Sequence, residues 1–169
     1  MPPGEHRDLQ ILSDAMNDIL VIGYGNTIRG DDGAGVWAAE LLRLRAPKDV
    51  EVVVHHGLDP ELVDRLKDPH TVFFIDASTS VSEVTVSPII ATKQDRMQLR
   101  PHFSSPSHLL ALCQALHGRI PDRCYAVQIP ATDFTLRESL TEQTQRFAEL
   151  AVDRILELVH STNPPAPSP

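Results

Sequence analysis

Residues 19–36 read ILVIGYGNTIRGDDGAGV, and this stretch decides the fold. Ile19–Gly23 is a continuous apolar run of strand length. A strand apolar at every position is buried on both faces, as in a parallel sheet. The glycines at 23, 25, 30, 33 and 35 mark a tight turn. Glycine belongs where φ is positive or another backbone comes close. Beyond the turn, Ala34, Trp37, Ala38, Leu41 and Leu42 recur at helical spacing, so a helix is predicted over 34–44.

The same alternation continues outward. Val50–Val54 reads as a β-branched strand. Asp59–Lys67 reads as a short helix, with Asp59 at the N-cap and Pro60 at the first helical position. Thr71–Ile75 is a third apolar strand. Val84–Ile90 alternates and contains Pro88, which suits an edge strand. Ser105–Leu116 is a helix with Ser105 as N-cap, Pro106 behind it and Gly118 as its stop. Cys124–Ile129 is a strand, and Thr141–Val159 a final helix capped by Thr141. The order βαβαββαβα predicts one three-layer α/β domain over residues 18–160. Its sheet has about five strands, mainly parallel, with helices on both faces and one antiparallel edge strand. Residues 1–17 carry no clear period and read as a flexible extension. Met16 just before the first strand offers a second possible start. The Pro-rich 161–169, STNPPAPSP, is expected to be a disordered tail.

Composition narrows the function. A chain of 169 residues can bury roughly 70% of its unfolded surface, so it needs no disulfide or metal staple. Cys113 and Cys124 both fall in apolar patterns and read as buried hydrophobes. The net charge of −8, from 15 Lys+Arg against 23 Asp+Glu, disfavours nucleic acid. No run of ~18 apolar residues is available to cross a membrane, and the N-terminus lacks a signal-peptide core. The expected location is the cytoplasm, and the expected state a monomer.

A glycine-rich turn between strand and helix invites a dinucleotide reading, but the spacing opposes it. Ile28 stands where the fingerprint needs its third glycine. Asp31 and Asp32 occupy the helix start, where their charge would repel phosphate. The plain alternative is that one acid caps the helix and the other decorates its first turn. Asp76 closes the third strand, at the carboxyl edge where α/β sheets place their sites. If the first and third strands are neighbours, Asp32 and Asp76 share one cavity. Two such carboxylates repel unless a proton or cation lies between them, which suggests a divalent metal. A histidine would complete a nitrogen–oxygen ligand set suited to nickel or zinc. Spacing leaves His55, His56, His102 and His108 all open. No Gly-x-Ser-x-Gly or His-Glu-x-x-His motif is present.

The segment 19–36 resembles the opening of the nickel–iron hydrogenase maturation proteases, which follow a strand with G-x-G-N-x-x-x-x-D-D/E-x-x-G. The resemblance extends to VVHHGLDPELVDRL (53–66), FFIDAS (73–78), HFSSPSHLLALCQALHG (102–118), PATDF (130–134) and ESLTEQ (138–143). It covers roughly residues 19–160. It implies that Asp32, Asp76 and His102 contact metal, with the two acids serving catalysis. It implies an endopeptidase that removes a C-terminal extension from the nickel-loaded precursor of a hydrogenase large subunit. The nickel comes with the substrate and is the recognition signal. The alternative is a nickel-binding accessory protein that inspects the precursor without cutting. Three positions depart from the family pattern: Pro101 precedes His102, Arg137 replaces a common Gly, and His108 offers a rival imidazole.

Overall fold

The computed structural model describes residues 18–90 and 105–162. Its elements are β1 (Ile19–Tyr24), a 3-10 turn (Gly30–Gly33), α1 (Ala34–Arg45), β2 (Val50–His55), a second 3-10 turn (Pro60–Leu62) running into α2 (Val63–Leu66), β3 (Thr71–Ser78), β4 (Thr85–Pro88), α3 (Pro106–His117), β5 (Arg123–Pro130) and α4 (Glu142–Thr162). The five strands form one sheet in the order β2-β1-β3-β5-β4. The pairs β1–β2, β1–β3 and β3–β5 are parallel, and β4 pairs antiparallel with β5 at the edge. The three-layer mixed sheet is the architecture expected from the alternation of strands and helices.

Alternate side chains of each strand feed two cores, as the two-residue period of a strand requires. Ile19, Val21, Phe73, Ile75, Val127 and Ile129 face α1 and α4. Leu20, Ile22, Val72, Phe74 and Cys124 face α2 and α3. Burial on both sides explains the unbroken apolar runs of β1 and β3.

The buried face of α1 is small: Ala34, Gly35, Ala38, Ala39 and Leu42, whereas Trp37 and Leu41 are only partly covered. Small residues let the helix axis lie close to the sheet. The closest point is Gly35, where a Cβ would meet the Ile75 carbonyl oxygen at 2.3 Å and that of Tyr24 at 2.4 Å. This contact seats the start of α1 above the junction of β1 and β3.

Several predicted terminators are present. Ser105 Oγ accepts from His108 N at 3.4 Å, Thr141 Oγ1 accepts from Thr144 N at 3.2 Å, and Gly118 adopts φ 71° after α3. Asp59 differs: it makes no cap bond, and its carboxylate pairs with His55 at 2.9 Å. The last helix runs to Thr162, two residues into the segment expected as tail. Residues 1–17 and 163–169 lie outside the described residues. Cys113 and Cys124 are free and buried, as expected, and burial raises both thiol pKa values, that of Cys124 to about 12.

Candidate active site

The strand order reverses at β1, since β2 lies on one side of it and β3 on the other. That switch point is where an open α/β sheet presents a crevice at its carboxyl edge. The turn after β1 and the overhanging end of β3 meet there.

The turn is shaped by its glycines. At Gly25 φ is 138°, and a Cβ there would sit 2.0 Å from the Asp32 carbonyl oxygen. The chain therefore folds back on itself between residues 25 and 32. The Asp32 carboxylate accepts the Asn26 amide at 3.2 Å and is half-buried.

Both Asp31 and Asp32 lie in the first turn of the 3-10 segment, but neither caps it. Neither the 3-10 turn nor α1 has a side-chain cap. Asp31 is 0% exposed and turns away from the crevice. Its Oδ1 accepts Thr141 N at 2.7 Å. Its Oδ2 accepts Thr132 N at 3.2 Å, Asp133 N at 3.1 Å, Thr141 Oγ1 at 3.1 Å and Thr144 Oγ1 at 2.9 Å. Burial by itself would raise its pKa, but these donors hold the carboxyl below the usual range. Backbone bonds complete the seam: Gly30 N to Arg137 O at 2.8 Å, Asp31 N to Asp133 O at 2.8 Å, and Arg137 N to Ile28 O at 3.0 Å. Arg137 thus joins the turn through its main chain, which any residue type supplies. Asp31 is an anchor, and Asp32 is left to face the site.

Asp76 does not close β3 as expected. The β3–β5 ladder continues past the end of β1, with Asp76 opposite Gln128 and Ser78 opposite Pro130. A strand setting holds the Asp76 carboxyl more firmly than a loop would. One step beyond the last β1–β3 pair, Gly23–Ile75, Tyr24 comes level with Asp76. The Tyr24 hydroxyl is near enough to the Asp76 carboxyl to act as a donor to it and lower its pKa. Burial pushes the Asp76 carboxyl up to about 6; the bonds from Tyr24 and the Ala77 amide oppose the rise, and the charge of Asp32 adds to it. That last effect places the two acids in one electrostatic neighbourhood, as their strand positions predicted. Burial, then the charge and hydrogen bond of Asp76, raise the Tyr24 pKa well above that of an ordinary phenol. Tyr24 therefore stays a donor.

The row continues on both sides. His55 is opposite Tyr24 in β2, and Thr85 opposite Gln128 in β4, with Thr85 Oγ1 3.4 Å from Gln128 Oε1. Tyr24 and Gln128 were not singled out from sequence. The available signal for Tyr24 was an aromatic between two turn glycines, at a strand's carboxyl end.

Of the four candidate histidines, His102 lies outside the described residues. His55 Nδ1 is engaged by Asp59 and by the Gly57 carbonyl oxygen at 3.1 Å. His55, Asp59 and Glu61 bring ligand atoms within 4.8 Å of one another, but the two acids are exposed and the imidazole nitrogen is already bonded. His56 is exposed and lines a cavity of ≈ 430 Å³ with Thr27, Val36, Val54 and His55. His108 sits in the first turn of α3, and its Nδ1 is buried with no hydrogen-bond partner among the described residues.

Among the described residues no helix is long and apolar enough to cross a membrane. No protein-family model and no curated protein matches the sequence. Solved structures do match the fold. The hydrogenase-maturating endopeptidase HybD from E. coli superposes with a TM-score of 0.66 at 21% identity, over 86% of this chain and 93% of that one. The hydrogenase 2 maturation peptidase from a Thaumarchaeota archaeon gives 0.65 at 23% identity, over 83% and 97%. The maturation protease HycI from Thermococcus kodakarensis gives 0.64 at 21% identity, over 90% and 98%. The chain has the fold of these maturation endopeptidases across nearly their whole length.

Proposed function

We propose that this protein is an endopeptidase that removes a C-terminal extension from the nickel-loaded precursor of a hydrogenase large subunit, in the cytoplasm. The observation that carries the reading is the meeting of Asp32 and Asp76 at the β1–β3 switch point, where the charge of Asp32 adds to the raised pKa of Asp76. Such a pair favours a cation between its members. The fold shared with maturation endopeptidases and the motif G-x-G-N-x-x-x-x-D-D in residues 23–32 support the same reading.

Nickel arrives as cargo of the substrate. Asp32 and Asp76 offer it oxygen ligands and His102 a nitrogen, a set of the kind that suits nickel. Holding the cargo holds the extension beside the acids, so hydrolysis proceeds within one complex. Water adds to the scissile carbonyl, the C–N bond breaks, and the departing amine takes a proton. A site carboxylate takes up the proton of that water as it adds. Tyr24 orients Asp76.

The test mixes purified protein with nickel-loaded precursor and weighs the products by mass spectrometry. Shortening of the precursor is expected with the wild type and is lost in Asp32→Asn and Asp76→Asn. A precursor bound but uncut by the wild type would favour the accessory protein instead. Normal processing by either Asn variant would remove that acid from the site.

A further inference from the structure

We propose that the upper edge of β2 receives the substrate's extension as an added β-strand and leads it to Asp32 and Asp76; the proposal rests on the peptidase reading and names how that substrate is held.

The argument begins with the register. β2 is an outer strand of the sheet, with β1 on one side only. In a parallel ladder both backbone groups of one residue point the same way, and successive residues alternate. The His55 carbonyl accepts Gly25 N at 3.2 Å, so Glu51, Val53 and His55 turn toward β1. Val52 and Val54 therefore turn outward.

The outward residues, Val50 among them, are treated differently: the Val50 N–H donates to the Pro47 carbonyl at 3.1 Å. The Val52 carbonyl is taken by Arg43 Nη2 at 3.0 Å, and Glu51 alongside is paired with Arg65. Charged side chains are a usual way to blunt an edge strand. Among the described residues, nothing bonds the outward N–H or C=O of Val54. The edge is closed at its lower half and open at the end nearest the acids.

The open end borders the ≈ 430 Å³ cavity lined by Thr27, Val36, Val54, His55 and His56. Two valines and two imidazoles make that lining suit the side chains of an extended peptide. A free donor and acceptor on one residue complement a peptide backbone, as in other cases of strand addition. The cavity shares Thr27 with the turn that carries Asp32. Thr27 packs against Gly33, where an added Cβ would lie 3.0 Å from the Thr27 Cα, and Gly33 directly follows Asp32. A strand entering along Val54 meets the turn that carries Asp32.

Val54→Pro removes the outward N–H and leaves the β1 ladder intact, since that ladder uses Val53 and His55. Val54→Thr keeps the N–H. With nickel-loaded precursor, Val54→Pro should raise KM about tenfold with kcat within about twofold of wild type, the loss expected for one backbone hydrogen bond. Val54→Thr should raise KM far less than Val54→Pro does. Cleavage by Val54→Pro at the wild-type KM would overturn the proposal. So would a wild-type dimer that Val54→Pro dissociates, which would give the edge to a second copy. If Val54→Pro does not fold, the bond is removed from the other side. Ligated precursors carry N-methyl groups on one or the other alternate set of extension amides. A KM raised by only one set supports strand pairing, and equal effects overturn it. Failure of the wild type to cut the precursor at all refutes the peptidase reading rather than the edge.

Discussion

Asp76→Asn should abolish cleavage and make the protein more stable at neutral pH. The folded pKa of Asp76 is about 6, against 3.8 for an unperturbed aspartate. A carboxyl with a raised folded pKa binds its proton more tightly in the native state. Below pH 3.8 it is protonated in both states and does not destabilise. Between 3.8 and 6 the unfolded chain ionises while the folded carboxyl stays mostly protonated, so stability falls, and above 6 the full penalty applies. The difference of about 2 pKa units, at 1.36 kcal/mol each, gives a ceiling of about 3 kcal/mol. An asparagine has no charge to bury and still accepts from Tyr24. Its new NH₂ group needs a partner, so ~2 kcal/mol is the expected gain, or roughly 4–8 °C in Tm for a domain of this size. Thermal melts of wild type and variant at pH 7.5 and pH 4 check both parts. The gain should shrink to under about 1 kcal/mol at pH 4, where the wild-type carboxyl is largely protonated. A variant no more stable than wild type at pH 7.5, or equally favoured at pH 4, would refute the reasoning. Either result would mean that Asp76 is not held against its own charge.

Asp31→Asn should destabilise the domain by roughly 2–4 kcal/mol, because four donors converge on one oxygen and Thr141 N then faces an amide NH₂; a Tm equal to wild type would contradict its anchoring role. Gly35→Ala places a methyl 2.3 Å from the Ile75 carbonyl oxygen, with backbone rather than flexible side chain opposing it, and should reduce stability by about 1–3 kcal/mol in urea titrations. Tyr24→Phe removes a bond that lowers the Asp76 pKa, so the acidic limb of the pH–rate profile should move to higher pH with cleavage retained; an unmoved limb would separate Tyr24 from the chemistry. His102→Gln should weaken binding of nickel-loaded precursor, whereas His108→Gln should leave it near wild type; the reverse result in pull-down titrations would transfer the imidazole ligand to α3.

The sheet was legible because its two central strands carry unbroken apolar runs, Ile19–Gly23 and Val72–Ile75, which a doubly covered strand explains. The sequence left the neighbouring of β1 and β3 as a condition for bringing Asp32 near Asp76, and the strand order meets that condition. Three features were not legible. The work of Asp31 depends on residues 132, 133, 141 and 144, which are about a hundred positions away, and no local pattern announces such a partner. The continuation of β3 beyond Asp76 depends on a partner strand, β5, that reaches equally far. The burial of α1 through Ala34, Gly35, Ala38 and Ala39 runs against a periodicity that weights Trp37 and Leu41 as core. In each case the deciding contact is long-range, and hydrophobic spacing reports only which face is apolar.

The acid doublet shows how the turn serves two tasks. In a 3-10 turn three residues complete one revolution, so adjacent side chains diverge by about 120°. Asp31 and Asp32 are therefore obliged to point apart. One goes into a pocket with no solvent exposure and five donors, the other toward a crevice where it is half-buried. The first ties the loop of residues 131–144 to the turn, and that tie keeps the turn's backbone from relaxing away from Gly25. The second is then held opposite Asp76 although the two repel. Repulsion between the site acids is a force that tends to open the crevice, and the Asp31 seam opposes it from behind. Two carboxylates held in one crevice need such a brace, and the residue beside Asp32 supplies it.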